Sequence, residues 1–176
     1  MSEATQPISR RNVAKGIAWT TPLIIGATAA PAYASSGGPP KITISGACKA
    51  PGSSCGSFVK GYIVTMTITN SSHQDVYLYV PPTITLEPEV LALGYAGYSV
   101  GGGPLQQAPK PIEIPAGESV TVQLNTTSQN SANQAFDLTL SFTWGHTADP
   151  ADDTEHTGTY VTATTTIPAT PPDCCK

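Results

Sequence analysis

The sequence is poor in charged and aromatic side chains. Charged residues make up 11% of the 176 positions and aromatic residues 7%, whereas typical domains carry about 25% charged residues. Arginine occurs only at Arg10 and Arg11. Nucleic-acid phosphates and anionic lipid surfaces both require clustered cations, so this shortage of basic side chains excludes nucleic acid as a partner and docking on anionic membranes. No apolar run reaches the roughly 20 residues that a membrane-spanning helix needs.

The first 34 residues have the three parts of a secretory leader. A basic region at positions 10–15 is followed by an apolar stretch at 17–30, which threonine, proline and glycine dilute. Ala32 and Ala34 then place small side chains at the two positions that a signal peptidase must admit. We therefore predict cleavage after Ala34, which leaves Ser35 as the first residue of the mature protein.

The basic region resembles the twin-arginine export motif Ser/Thr-Arg-Arg-x-Phe-Leu-Lys. Val13 and Ala14 depart from that pattern, and the positions that match it are Ser9, Arg10, Arg11 and Lys15. The leader as a whole resembles those of secreted actinobacterial proteins. This resemblance implies that the twin-arginine pair is an export address read by a receptor and not a membrane anchor. It also implies a secreted or cell-surface location with no membrane span after cleavage.

The segment after the leader has the size and composition of one all-β domain. Three of the eight basic residues and one of the twelve acidic residues lie in the leader, so the remaining 142 residues carry a formal charge of −6. Sixteen glycines and 17 prolines interrupt the chain, and threonine, serine and asparagine replace charged residues as the solvating groups. This composition is typical of an extracellular domain built from strands.

Alternating apolar residues predict the strands. The clearest pattern runs from Phe136 to Trp144, which we expect at the centre of one sheet, and residues 94–111 show no periodicity and are expected to form a long loop. Gly46 to Gly56 is expected to be a turn. Residues 90–93 form a brief apolar run. The other segments expected to be extended are 41–45, 62–69, 76–80, 84–86, 112–114, 120–124 and 160–167.

These strands and turns predict an antiparallel sandwich of two sheets. The turn at Ile114-Pro115-Ala116-Gly117 and the strand that ends at Thr69-Asn70-Ser71 resemble bacterial Ig-like domains. We therefore divide the chain into a signal peptide at 1–34, a flexible lead-in at 35–40, an Ig-like β-sandwich at 41–168 and a Pro/Cys tail at 169–176.

Four cysteines in an exported chain predict disulfides. Proximity in the sequence favours a Cys48–Cys55 bridge, which closes a loop of about eight residues. That pairing would leave Cys174 and Cys175 joined together, unpaired or bridged to another molecule. The alternative is a long-range bridge from Cys48 to Cys174 or Cys175, because the first and last strands of Ig-like sandwiches can lie side by side.

Three groups of residues are candidates for chemistry. Four tyrosines beside a glycine-rich loop could form an aromatic surface for a glycan or a protein: Tyr77, Tyr79, Tyr95 and Tyr98. A carboxylate-rich loop is expected to be a solvated surface, with calcium as a weak alternative: Asp149, Asp152, Asp153 and Glu155. His146 and His156 in the same loop could bind zinc but lack a defined spacing.

A non-catalytic binding module is the function that these features favour. Gly52-Ser53-Ser54-Cys55-Gly56 matches the hydrolase pattern Gly-x-Ser-x-Gly, but that pattern works between a strand and a helix, and no helix is predicted here. We expect an exported adhesion or envelope-associated domain without a cofactor, whose partner is a protein or a cell-wall glycan. The alternatives are a secreted hydrolase that acts on glycan or peptide and a structural subunit of a surface assembly.

Overall fold

The computed structural model describes residues 37–51, 56–128, 130 and 132–175. The leader, Cys55 and the residues at 52–54 lie outside the described residues, so the predictions made for them stay predictions. The described residues form nine strands and no helix: β1 (Lys41–Ala50), β2 (Gly61–Thr69), β3 (Val76–Leu78), β4 (Thr83–Glu87), β5 (Gly94–Val100), β6 (Ile112–Ile114), β7 (Ser119–Thr127), β8 (Phe136–Gly145) and β9 (Tyr160–Ile167).

The first sheet contains four antiparallel strands in the order β1-β2-β7-β5. Strand β2 lies at its centre, and Met66 is paired with Ile44 on one side and with Val122 on the other. The apolar residues of β2 alternate with threonines, so one face of the strand is buried and the other carries hydroxyl groups.

The second sheet is organised around β8. Strand β9 pairs with one edge of β8, and β4 and β3 pair with it as well, while β6 extends the sheet beyond β3. The side chains from Phe136 to Trp144 that were predicted to share one face are all buried. The prediction that β8 occupies the centre of a sheet is therefore confirmed.

The hydrophobic core is formed by alternate side chains from both sheets. The all-β, two-sheet sandwich predicted from the sequence is confirmed. No helix among the described residues has the length and apolar character that crossing a bilayer requires.

Two predictions of local structure are wrong. Strand β1 does not end at Ser45: its register shifts between Ile44 and Gly46 and pairing then continues to Ala50, where a turn was expected. The segment at 94–111 that was expected to be a long loop begins with strand β5. Beyond β5, Gln106 exchanges backbone hydrogen bonds with Tyr98.

The predicted Cys48–Cys55 bridge is also wrong, because Cys48 is bonded to Cys174. The tail lies parallel to the end of β1, where the Lys49 N–H donates to the Pro172 carbonyl at 2.8 Å and the Cys174 N–H donates to the Lys49 carbonyl at 3.0 Å. Backbone pairing therefore places the tail beside β1 and brings the two cysteines together. Cys175 is disulfide-bonded as well.

Candidate binding site at the β8–β9 loop

The structure divides the four predicted tyrosines between the two sheets. Tyr77 lies on β3 and Tyr79 directly follows it, whereas Tyr95 and Tyr98 lie on β5 in the other sheet. They therefore do not form one aromatic surface. Only the pair at β3 lies beside the β8–β9 loop, which comprises residues 146–159.

Tyr95 and Tyr98 contribute to the structure around β5 and not to an open binding surface. Tyr98 is buried, and its hydroxyl donates to the Lys110 and Pro111 carbonyls at 3.0 and 3.2 Å, which fixes the segment that follows β5. The Tyr95 hydroxyl is buried with no hydrogen-bond partner among the described residues. Burial, with a smaller contribution from Tyr98, raises the pKa of Tyr95 to about 12. Neither ring provides an open platform for a ligand.

Tyr79 holds the β8–β9 loop against the second sheet. Its N–H donates to the Thr143 carbonyl at 2.9 Å, and its hydroxyl donates to the Thr147 carbonyl at 2.9 Å. The Tyr79 hydroxyl also lies close to Gly145, where a Cβ atom would collide with both this hydroxyl and the Asp153 carboxylate. Glycine at this position lets the loop fold back onto the sheet.

Asp153 organises the interior of the same loop. Its carboxylate accepts the His146 N–H at 2.6 Å, the His156 N–H at 2.9 Å and the His156 ring at 3.0 Å. Burial by itself would raise the pKa of Asp153, but these hydrogen bonds and the charge of His156 together lower it to about 2. The carboxylate is therefore ionised at neutral pH and acts as the acceptor around which the loop closes.

Three aromatic rings pack together beside Asp153. The Trp144 ring centre lies 4.2 Å from that of His156 and 5.7 Å from that of His146, and the two histidine centres are 4.9 Å apart. The His146 ring is also fixed from outside the loop, with its Nδ1 atom 2.8 Å from the Asp75 carbonyl oxygen.

A small pocket opens between this cluster and β3. Its volume is about 200 Å³, which is below the roughly 300–1,000 Å³ of most small-molecule sites, so it admits one ring or one side chain of a larger ligand. Tyr160, at the start of β9, is paired with Thr143 and is 61% exposed. The residues that line the pocket are Tyr79, Thr143, Trp144, Pro150, Asp153, His156, Thr157 and Gly158.

The acidic residues of the loop do not act as a group. Asp153 is buried, whereas Asp149, Asp152 and Glu155 are exposed. Asp149 instead closes a local turn, because its carboxylate accepts the Ala151 N–H at 2.9 Å. Within residues 37–51, 56–128, 130 and 132–175, no three or more histidine, cysteine or acidic side chains are grouped so that they could hold a metal ion.

The sequence pattern singled out Tyr79 as part of an aromatic surface and Asp153 with both histidines as part of a loop cluster, but Trp144 and Tyr160 were missed as site residues. Trp144 was expected to be a core side chain, which it also is. The positions of these two residues in the sequence could have identified them. The tryptophan lies at the end of β8 and the tyrosine at the start of β9, on either side of a loop that contains two histidines.

Comparisons with known proteins find no match. The chain matches no protein-family model, no curated protein and no solved structure. The class of this protein is given by its fold alone, which is an antiparallel β-sandwich of two sheets.

Proposed function

We propose that this protein is an exported, non-catalytic binding module that recognises a glycan of the cell envelope at the pocket beside the β8–β9 loop. The observation that carries the proposal is the small pocket lined by Tyr79 and Trp144, with the exposed ring of Tyr160 at the neighbouring position of the sheet. Pockets that combine aromatic walls with a few polar groups are typical of binding sites.

The polar groups of the pocket are occupied in a way that favours binding over catalysis. The Asp153 carboxylate accepts two backbone N–H groups and the His156 ring. The hydroxyl of Thr157 donates to the Asp153 carbonyl at 3.0 Å. A hydrolase needs a free nucleophile or a pair of carboxylates aimed at the substrate, whereas these groups are directed at the loop itself.

A sugar ring suits the dimensions and the chemistry of this surface. The pocket accepts one ring, and Tyr160 presents an aromatic face on which an adjoining sugar can pack. Tyrosine combines apolar area with a hydroxyl group at little cost in side-chain entropy. The acidic balance of the chain favours a neutral or cationic glycan over a strongly anionic one.

Binding of the secreted protein to insoluble cell-wall polysaccharide and to a glycan array tests the proposal. We expect Tyr160→Ala to weaken binding about tenfold, as for an aromatic residue at the centre of an interface. The matched control is Val100→Ala, which shortens a large exposed apolar side chain on the opposite sheet. Equal binding by both variants, or release of soluble sugar from the polysaccharide, would contradict a binding module with this site.

Export is the second part of the proposal. The leader at 1–34 supports it, and the Cys48–Cys174 disulfide is consistent with an oxidising compartment. We expect N-terminal sequencing of the protein from the medium to read Ser35-Ser36-Gly37. Protein from the medium that still begins at Met1 would contradict the cleavage site.

A further inference from the structure

The β8–β9 loop holds its two histidines as metal-binding histidines are held. We propose that His146 and His156 bind one divalent transition-metal ion through their Nε2 atoms. The metal proposal does not rest on the proposed glycan binding, because it needs only the two imidazoles, although His156 also lines the glycan pocket.

The first argument concerns the position of the ring protons. The Nδ1 atom of His146 faces the Asp75 carbonyl oxygen at 2.8 Å, and the Nδ1 atom of His156 faces an Asp153 carboxylate oxygen at 3.0 Å. Both oxygens only accept hydrogen bonds, so each Nδ1 carries a proton and each neutral ring keeps its lone pair on Nε2. Metal-ligating histidines are fixed in this way, with the second nitrogen donating to a carbonyl or a carboxylate.

The second argument is an unpartnered atom. The Nε2 atom of His146 is buried and has no hydrogen-bond partner among the described residues. Buried polar side-chain atoms are nearly always satisfied in native proteins, and an exception calls for an explanation such as a bound water or ion. An ion bound to this lone pair would satisfy it.

The third argument is the spacing of the rings. With a metal–nitrogen distance of about 2.1 Å, each ring centre lies about 3.2 Å from the ion, so two ligands at angles between 90° and tetrahedral have ring centres about 4.5–5.2 Å apart. The observed separation between the His146 and His156 ring centres is 4.9 Å. The observed separation therefore lies within the range expected for two imidazoles that share one ion.

The ligand atoms specify the kind of metal. Imidazole suits Cu²⁺, Zn²⁺ and Ni²⁺, with Cu²⁺ bound most tightly, whereas calcium and magnesium require oxygen ligands. The exposed carboxylates of Asp149, Asp152 and Glu155 are not grouped to supply such a set. Two protein ligands leave the remaining coordination positions to water.

Titration of the untagged full chain with CuCl₂ and with ZnCl₂, followed by calorimetry, tests this site. We expect one ion per chain, with affinity lowered about tenfold or more in His146→Gln and in His156→Gln. His73→Gln is the matched control, because His73 is the third histidine of the chain and lies outside the loop. The absence of binding to wild type at millimolar metal would overturn the proposal, as would unchanged binding by the double variant.

A measurement on the wild-type protein covers the case in which the histidine variants do not fold. Nitrogen NMR of the imidazole rings during a Zn²⁺ titration reports each Nε2 atom directly. We expect the Nε2 resonances of His146 and His156 to shift together and the ring of His73 to stay unchanged. A shift confined to His73, or to only one ring of the pair, would overturn the shared site.

Discussion

The disulfide between Cys48 and Cys174 joins two residues that are 126 positions apart in the sequence. Backbone hydrogen bonds flank it, because Lys49 both donates to Pro172 and accepts from Cys174. The bond therefore secures a strand pairing that the main chain already makes.

We expect the Cys48→Ser, Cys174→Ser double variant to be less stable than wild type by less than about 5 kcal/mol, because the disulfide at the adjacent Cys175 remains. A bridge that closes a loop of this length restricts the unfolded chain far more than a short loop does, and the loop-entropy relation gives about 5 kcal/mol as the upper value. Urea unfolding without reductant measures the difference. Non-reducing peptide mapping is the check on connectivity, and a Cys48 peptide joined to a Cys55 peptide would contradict the pairing.

Tyr95→Phe is expected to raise the free energy of unfolding by about 1 kcal/mol at neutral pH. The Tyr95 hydroxyl is buried with no partner among the described residues, and its removal relieves an unpaired polar group. Tyr98→Phe is the matched control, because its hydroxyl donates to Lys110 and Pro111, and we expect it to lose about 1 kcal/mol. A loss in Tyr95→Phe as large as in Tyr98→Phe would show that the Tyr95 hydroxyl is satisfied.

The raised pKa of Tyr95 predicts that the stability of the protein changes at alkaline pH. This pKa rises from 10.0 to about 12 in the folded protein. The unfolded chain therefore loses this proton first, so ionisation of Tyr95 leaves the stability unchanged below pH 10 and lowers it as the pH rises toward 12. Unfolding free energies of wild type and Tyr95→Phe between pH 9 and 12 should diverge by this loss of stability, and parallel curves would contradict it.

Asp153→Ala is expected to cost about 2–4 kcal/mol, because it leaves the buried N–H groups of His146 and His156 without their acceptor. Asp153→Asn keeps one acceptor oxygen and should cost about half as much. Thermal unfolding ranks the two variants. Equal stability of wild type and Asp153→Ala would show that the loop closes without the carboxylate.

Gly145→Ala is expected to lower stability by about 1–3 kcal/mol, the usual range for overpacking. The added methyl group would collide with the Tyr79 hydroxyl and the Asp153 carboxylate, so the β8–β9 loop must move away from the sheet. Gly46→Ala is the control, since a methyl group there meets no atom within 4 Å. Denaturant unfolding of both variants tests this difference, and equal losses would contradict the collision.

Most of the fold was predictable because burial sets the period of the strands. Alternation in β2 and β8 separates the core face from the hydroxyl face, so the sequence alone places Met66 and Leu140 inside. The strand order could not be predicted in this way, because it depends on which strands pair and not on the pattern within each strand.

Strand β5 was missed because glycine conceals its pattern. Gly97 has φ of 147°, and a Cβ atom there would lie 2.6 Å from the Gln106 carbonyl oxygen, so the close approach of Gln106 requires glycine. In a sequence, the same residue indicates a loop. The disulfide was mispredicted for a related reason, since the continuation of β1 past Gly46 separates Cys48 from its sequence neighbours and places it beside the tail.

The candidate site was only partly predictable. The tyrosines at 77 and 79 and the histidines of the loop were identified by residue type, but their grouping depends on a loop that folds back over Gly145. That geometry arises from the contacts of Asp153 and Tyr79, which no local pattern reports.

The covalent link at Cys48 has a mechanical consequence. Tension applied to the chain from points before residue 48 and after residue 174 passes through a sulfur–sulfur bond, and the residues between them carry none of the load. Under such tension the residues between the two cysteines cannot be extended while that bond is intact, whereas the part of β1 before Cys48 can be pulled away. In a pulling experiment the rest of both sheets should therefore extend only after a reductant is added.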